Sequence, residues 1–143
     1  MLQRIQTLFL AGVALITVIL LFIPMYYAAG KGAPAPTLTL LSNVVALLVN
    51  LIPAGWAVFT IFRFNNRIQQ IKFCTIGMLL SALVLALDIF LPGLLFNVPI
   101  ELNATVSFAP GIYLVPANVL LFFLASRFIR RDEELVRSAD RLR

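Results

Sequence analysis

Residues 73–96 read FCTIGMLLSALVLALDIFLPGLLF, a run of mostly apolar positions interrupted by one carboxylate, Asp88. A water-soluble core helix of that length and apolarity would be unusual, whereas a bilayer-crossing helix needs about 20 such residues. The stretch therefore reads as a membrane segment with Asp88 at lipid depth. On insertion scales an ionisable side chain at the bilayer centre costs roughly 2.5–3.5 kcal/mol, so Asp88 is expected to face protein rather than lipid.

Composition extends this reading to the whole chain. Of 143 residues, 62% are hydrophobic and 12% charged, and the mean hydropathy is +1.01, which indicates a single membrane domain over residues 1–143. A net charge of +5 would suggest nucleic acid in a soluble protein. Here the basic residues flank apolar runs, where they orient the chain in the bilayer, and no nucleic-acid partner is expected. The lone cysteine, Cys74, has no intrachain disulfide partner, and the chain lacks histidine. Haem, zinc-hydrolase and catalytic-triad chemistry lose their usual residues, so neither a metal nor another cofactor is expected and the chain reads as non-enzymatic.

Four spans are predicted, at about residues 5–27, 38–62, 73–96 and 110–129, forming an antiparallel four-transmembrane-helix bundle with a cytoplasmic helical tail over 130–143. The first ends in Pro24 and the pair Tyr26 and Tyr27, placed at the outer interface where amphipathic rings are favoured. The second carries Thr39, Asn43, Ala46, Asn50, Pro53, Ala57 and Thr60 at gaps of three and four, one packed helical face. Pro53 is expected to kink it and free the carbonyl near Val49. The third repeats the pattern at Cys74, Gly77, Ser81, Val84, Asp88 and Pro92, with Gly77 and Ser81 as a small-residue pair for close helix approach. In the fourth, Gly111, Asn118 and Ala125 share a face.

Between the third and fourth spans, Ile100, Leu102, Ala104, Val106 and Phe108 alternate with polar residues. This period of two predicts a short extracytoplasmic β-strand, paired with 37–40 or with a neighbouring subunit, or else an extended loop on the membrane surface. Asn103 also begins a glycosylation-type triplet. Lys and Arg at 4, 63, 67, 72, 127, 130, 131, 137, 141 and 143 fall on one side and Lys31 on the other. Ten against one places both termini in the cytoplasm.

Three cytoplasmic stretches carry a likeness: the start MLQRIQT, the loop NRIQQIKFC at 66–74, and the end RDEELVRSADRLR at 131–143. They resemble a family of four-span inner-membrane proteins of unknown function found in Bacteroidota. The resemblance implies a bacterial inner-membrane location and no activity, and its tail is the most specific part.

Two candidate sites follow. Helical rise puts Asp88 and Asn118 each about 12 Å below the outer helix ends, with Asn50 within a turn of that level, an intramembrane polar cluster. It serves either as an interhelical hydrogen bond or as a proton- or cation-responsive site. The second is the tail, where Arg131, Asp132, Glu133, Glu134, Arg137, Asp140 and Arg141 form a docking surface or a solvated helix end with a Glu133–Arg137 ion pair. The expected role is an accessory or assembly subunit of a larger membrane complex, with a protein partner or a homo-oligomer alongside the lipid bilayer. The alternative is a small proton-linked transporter or channel component using Asp88.

Overall fold

A computed structural model describes residues 3–28, 37–63, 67–96 and 106–141. Long helices dominate: α1 (Gln3–Leu20), α2 (Val44–Phe62), α3 (Arg67–Phe90) and α5 (Val115–Arg141), with a short α4 (Pro92–Phe96). Three are long and apolar enough to cross a membrane, over Val44–Phe62, Ile68–Phe90 and Pro110–Ser138, and Ile5–Leu20 is a shorter apolar helix. Their outward faces expose Phe62, Leu79, Phe90 and Leu120, an apolar surface that suits lipid and not water.

Each helix buries one stripe. The positions are Gln6, Leu10, Val13, Thr17 and Leu20 in α1; Ala46, Asn50, Pro53, Ala57 and Thr60 in α2; Gln70, Cys74, Gly77, Ser81, Val84 and Asp88 in α3; and Val115, Asn118, Phe122, Ala125, Ile129 and Asp132 in α5. Gaps alternate between three and four in all four stripes. Such a period of 3.5 keeps one seam toward its neighbours and gives interdigitated side-chain packing. The helices touch in the cyclic order α1–α2–α3–α5–α1. The faces predicted for the second and third spans are those the structure buries, Thr39, Asn43 and Pro92 excepted as stripe members. Asn43 caps α2 instead, its Oδ1 accepting from the Val45 amide at 2.8 Å.

The buried residues separate into two apolar clusters. An inner one comprises Leu10, Val13, Ala57, Cys74, Phe122, Ala125 and Ile129. An outer one joins Leu20, Met25, Tyr26, Leu40, Ala46, Leu95, Phe96, Ile112 and Val115. Cys74, on the stripe its spacing predicted, is fully buried in the inner cluster with Leu10, Ala57 and Phe122.

A three-stranded antiparallel sheet lies at one end, in the order β2-β1-β3. Strand β1 (Tyr26–Ala28) is central; β2 (Thr37–Leu38) and β3 (Val106–Phe108) flank it, with Tyr26 opposite Leu38 on one side and Phe108 on the other. Part of the alternating segment is therefore a strand, and within the chain its partner is 26–28 rather than 37–40. The tyrosines, read as interface anchors at a helix end, are strand residues. Pro24 ends the helical path of the first segment, and the Met25 amide instead donates to the Leu38 carbonyl at 2.8 Å. The remainder of the alternating stretch, with Asn103, lies outside the described residues.

The third span also ends earlier than predicted. Pro92 has no amide proton and disfavours helical geometry at Leu91, so α3 stops at Phe90 and the chain restarts as α4. The fourth opens with a 3-10 turn over Pro110–Leu114 before α5, which then continues unbroken into the tail, as predicted.

Candidate functional site

Between the two apolar clusters lies a polar layer to which every long helix contributes one residue. Along α1 it is Thr17, between Val13 and Leu20; along α2 Asn50, between Ala46 and Ala57; on α3 Asp88, between Cys74 and, in α4, Leu95; along α5 Asn118, between Val115 and Phe122. Asp88 is fully buried. The Asn50 amide nitrogen donates to Asp88 Oδ1 at 3.2 Å and to the Ala46 carbonyl at 3.1 Å, so the expected Asp88–Asn50 contact is present. Thr17 satisfies itself on the Val13 carbonyl, and Ser81, about two turns from Asp88, on the Gly77 carbonyl. Among the described residues, two buried side-chain atoms have no hydrogen-bond partner, Asp88 Oδ2 and Asn118 Oδ1. Both are acceptors, a carboxyl oxygen and an amide oxygen, and among the described residues no hydrogen bond joins Asn118 to Asp88.

The depth of this layer differs from the expected one. Because α3 ends at Phe90, Asp88 lies about 3 Å along the helix from that end. Asn118 is about 5 Å from the start of α5 at Val115, and Asn50 about 9 Å from the start of α2 at Val44. The layer lies nearer the sheet end of the helices than the other end, beneath the apolar cluster of Leu20, Ala46, Leu95 and Val115. Above it the Tyr26 hydroxyl donates to the Asp88 backbone carbonyl, and the Tyr26 ring meets Phe96 edge-on at 5.1 Å. Sheet and polar layer are thereby joined through one side chain. Sequence reasoning missed Tyr26 in this role, since its neighbours in sequence suggest only a helix end. Thr17 was legible from the three-four spacing of its own helix.

A second polar layer occupies the other end, again with one residue from each long helix: Gln6, Thr60, Gln70 and Asp132 are all buried. Gln6 Nε2 donates to Asp132 Oδ2 at 3.5 Å, the long limit of a hydrogen bond. Thr60 bonds the Trp56 carbonyl at 2.8 Å. Beside it the half-buried Trp56 indole donates to the Phe73 carbonyl at 2.9 Å within a cluster of Trp56, Phe59 and Phe73, so Trp56 fastens α2 to α3.

Of the predicted tail surface, Asp132 is not available for docking, because it is packed against Gln6 in this layer. Arg131, Glu134 and Arg137 are exposed and Glu133 is half-buried. The described residues contain no ion pair between Glu133 and Arg137, consistent with the small worth of such exposed pairs. The side chains of Asp140 and Arg141 lie outside the described residues. Among the described residues no group of three or more His, Cys, Asp or Glu is arranged to hold a metal.

A family model described as "Domain of unknown function (DUF4293)" matches residues 2–142. The chain belongs to this family. DUF4293 carries no assigned activity, which agrees with the resemblance to a family of unknown function. No curated protein and no solved structure matches the chain.

Proposed function

We propose that this DUF4293 chain is an antiparallel four-span bundle of the bacterial inner membrane, with both termini in the cytoplasm and the three-stranded sheet outside, acting as a non-enzymatic accessory or assembly subunit of a larger membrane complex. The charge asymmetry supports the orientation: Arg63, Lys72, Arg127, Arg130, Arg131 and Arg137 gather at the end opposite the sheet. Helix α1, though short, shares a seam with α2 and α5 and is the fourth span in this reading.

One observation carries the subunit role. Helix α5 runs on past its arginines, and there Leu135 and Val136 are 53% and 43% exposed between Arg131, Glu134 and Arg137. Apolar side chains beyond the arginine belt face water, not lipid, in this orientation. Val136 continues the buried stripe of α5 by one further step of four from Asp132. An apolar pair with a charged rim suits a protein partner.

The test is purification of the tagged chain from native membranes, wild type beside a Leu135→Glu, Val136→Glu variant and a truncation after Ile129. A partner retained at fixed ratio by the wild type and lost from both variants supports the subunit reading. A wild-type chain that purifies alone defeats it.

The two unpartnered acceptors of the outer polar layer favour a second reading, a proton-linked transporter or channel component using Asp88, Asn118 and Asn50. Such a protein, reconstituted without partners, would move protons or solute and lose that flux in Asp88→Asn.

A further inference from the structure

Phe123, Ser126, Arg127, Arg130, Arg131 and Glu134 line an open depression of about 650 Å³. They recur at helical spacing along a single face of α5, on the side away from its buried stripe of Asn118, Phe122, Ala125, Ile129 and Asp132. In a membrane that face looks outward into lipid. It also straddles a boundary: the residues before Ser126 are apolar, and three arginines follow within two turns.

We propose that this face binds the phosphate of an anionic phospholipid, with Arg127, Arg130 and Arg131 on the headgroup, Ser126 as a neutral donor, and exposed Phe123 one turn above against the acyl chains. The inference rests on the membrane placement argued above, but not on the existence of a protein partner. Charge complementarity selects the occupant. Three guanidiniums face one carboxylate, Glu134, a local balance of +2, and among the described residues no ion pair engages the three arginines. Arginine forks match phosphate oxygens in bidentate geometry, and the long side chains extend to headgroup level while their stems cover apolar surface. The mixed charge of the tail as a whole hides this asymmetry, because Asp132 is turned into the bundle and Glu133 is off the face.

The experiment is native mass spectrometry of the full chain in neutral detergent, with phosphatidylglycerol, phosphatidylcholine or inorganic phosphate as probe. The expected result is phosphatidylglycerol retention at least about tenfold above phosphatidylcholine, with inorganic phosphate unable to compete at equal concentration. Arg127→Gln with Arg130→Gln should abolish the preference, and Glu134→Gln, which removes the one acid among the described residues lining the face, should raise it. Equal retention of both lipids, a preference that survives the double arginine variant, or a fall in Glu134→Gln would overturn the proposal. Displacement by inorganic phosphate would assign the face to a free anion and overturn it as well. A chain that never enters detergent micelles or membranes would sink the membrane reading itself, an outcome distinct from a membrane chain without lipid preference.

Discussion

Asp88 shows how one carboxyl side chain is held inside the helix bundle. Its Oδ1 takes a hydrogen bond from Asn50, its backbone carbonyl takes another from Tyr26, and its Oδ2 is buried without a partner. An amide in its place can still accept from Asn50, whereas an alkyl group leaves the Asn50 donor with only the Ala46 carbonyl. Asp88→Asn is therefore expected to fold with unchanged yield, and Asp88→Leu to lose about 1–3 kcal/mol, read as a lowered thermal midpoint in detergent. Stable Asp88→Asn protein that loses its cellular phenotype would shift weight from a structural bond to the proton-linked reading. Asp88 was legible in the sequence as the one acid in an apolar run. Tyr26 was not, because its role depends on a strand that brings position 26 onto position 88, and no local pattern encodes that meeting.

At the scale of elements, the seam between α3 and α5 depends on the absence of a side chain. A Cβ added at Gly77 would come within 2.6 Å of Phe122 Cζ and 2.7 Å of its Cδ1, so the ring lies flat against the α3 backbone. Lipid tails provide no hydrophobic drive for helix association, and contact of this kind has to supply it. Gly77→Ala should cost about 1–3 kcal/mol by overpacking, seen as a lower midpoint or reduced yield, while Gly55→Ala, where nothing lies within 4 Å, should be neutral or slightly stabilising. The helix faces and the continuous fourth helix were readable beforehand, since a three-four period survives any tertiary detail. The break at Pro92 was also written in the sequence, but apolarity through Phe96 masked it: hydropathy registers what a residue prefers as solvent, not whether its backbone continues a helix.

For the whole molecule, the two polar layers bracket the inner apolar cluster, and the sheet covers the end opposite the arginines. The proposed orientation makes that asymmetry measurable. Cys74 is fully buried and should stay silent, so Ser107→Cys in β3 and Ser138→Cys in α5, both exposed positions, act as independent reporters. In intact cells a membrane-impermeant maleimide should label the first and spare the second until the membrane is opened. The reverse pattern would invert the topology and, with it, the side on which the Arg127 face meets lipid.

The sequence by itself determined the solvent this protein needs, the stripes on which its helices pack and the end that carries its positive charge. Each follows from composition or from a period of three to four residues, quantities that do not depend on where distant segments go. Tertiary structure alone decided that Tyr26–Ala28 is the central strand, that Tyr26 ties the sheet to Asp88, and that Asp132 turns inward to Gln6 while Arg127, Arg130 and Arg131 turn outward. Those outcomes depend on pairing between segments up to 126 positions apart, where the register of one helix against another, not the preference of any residue, selects the contact.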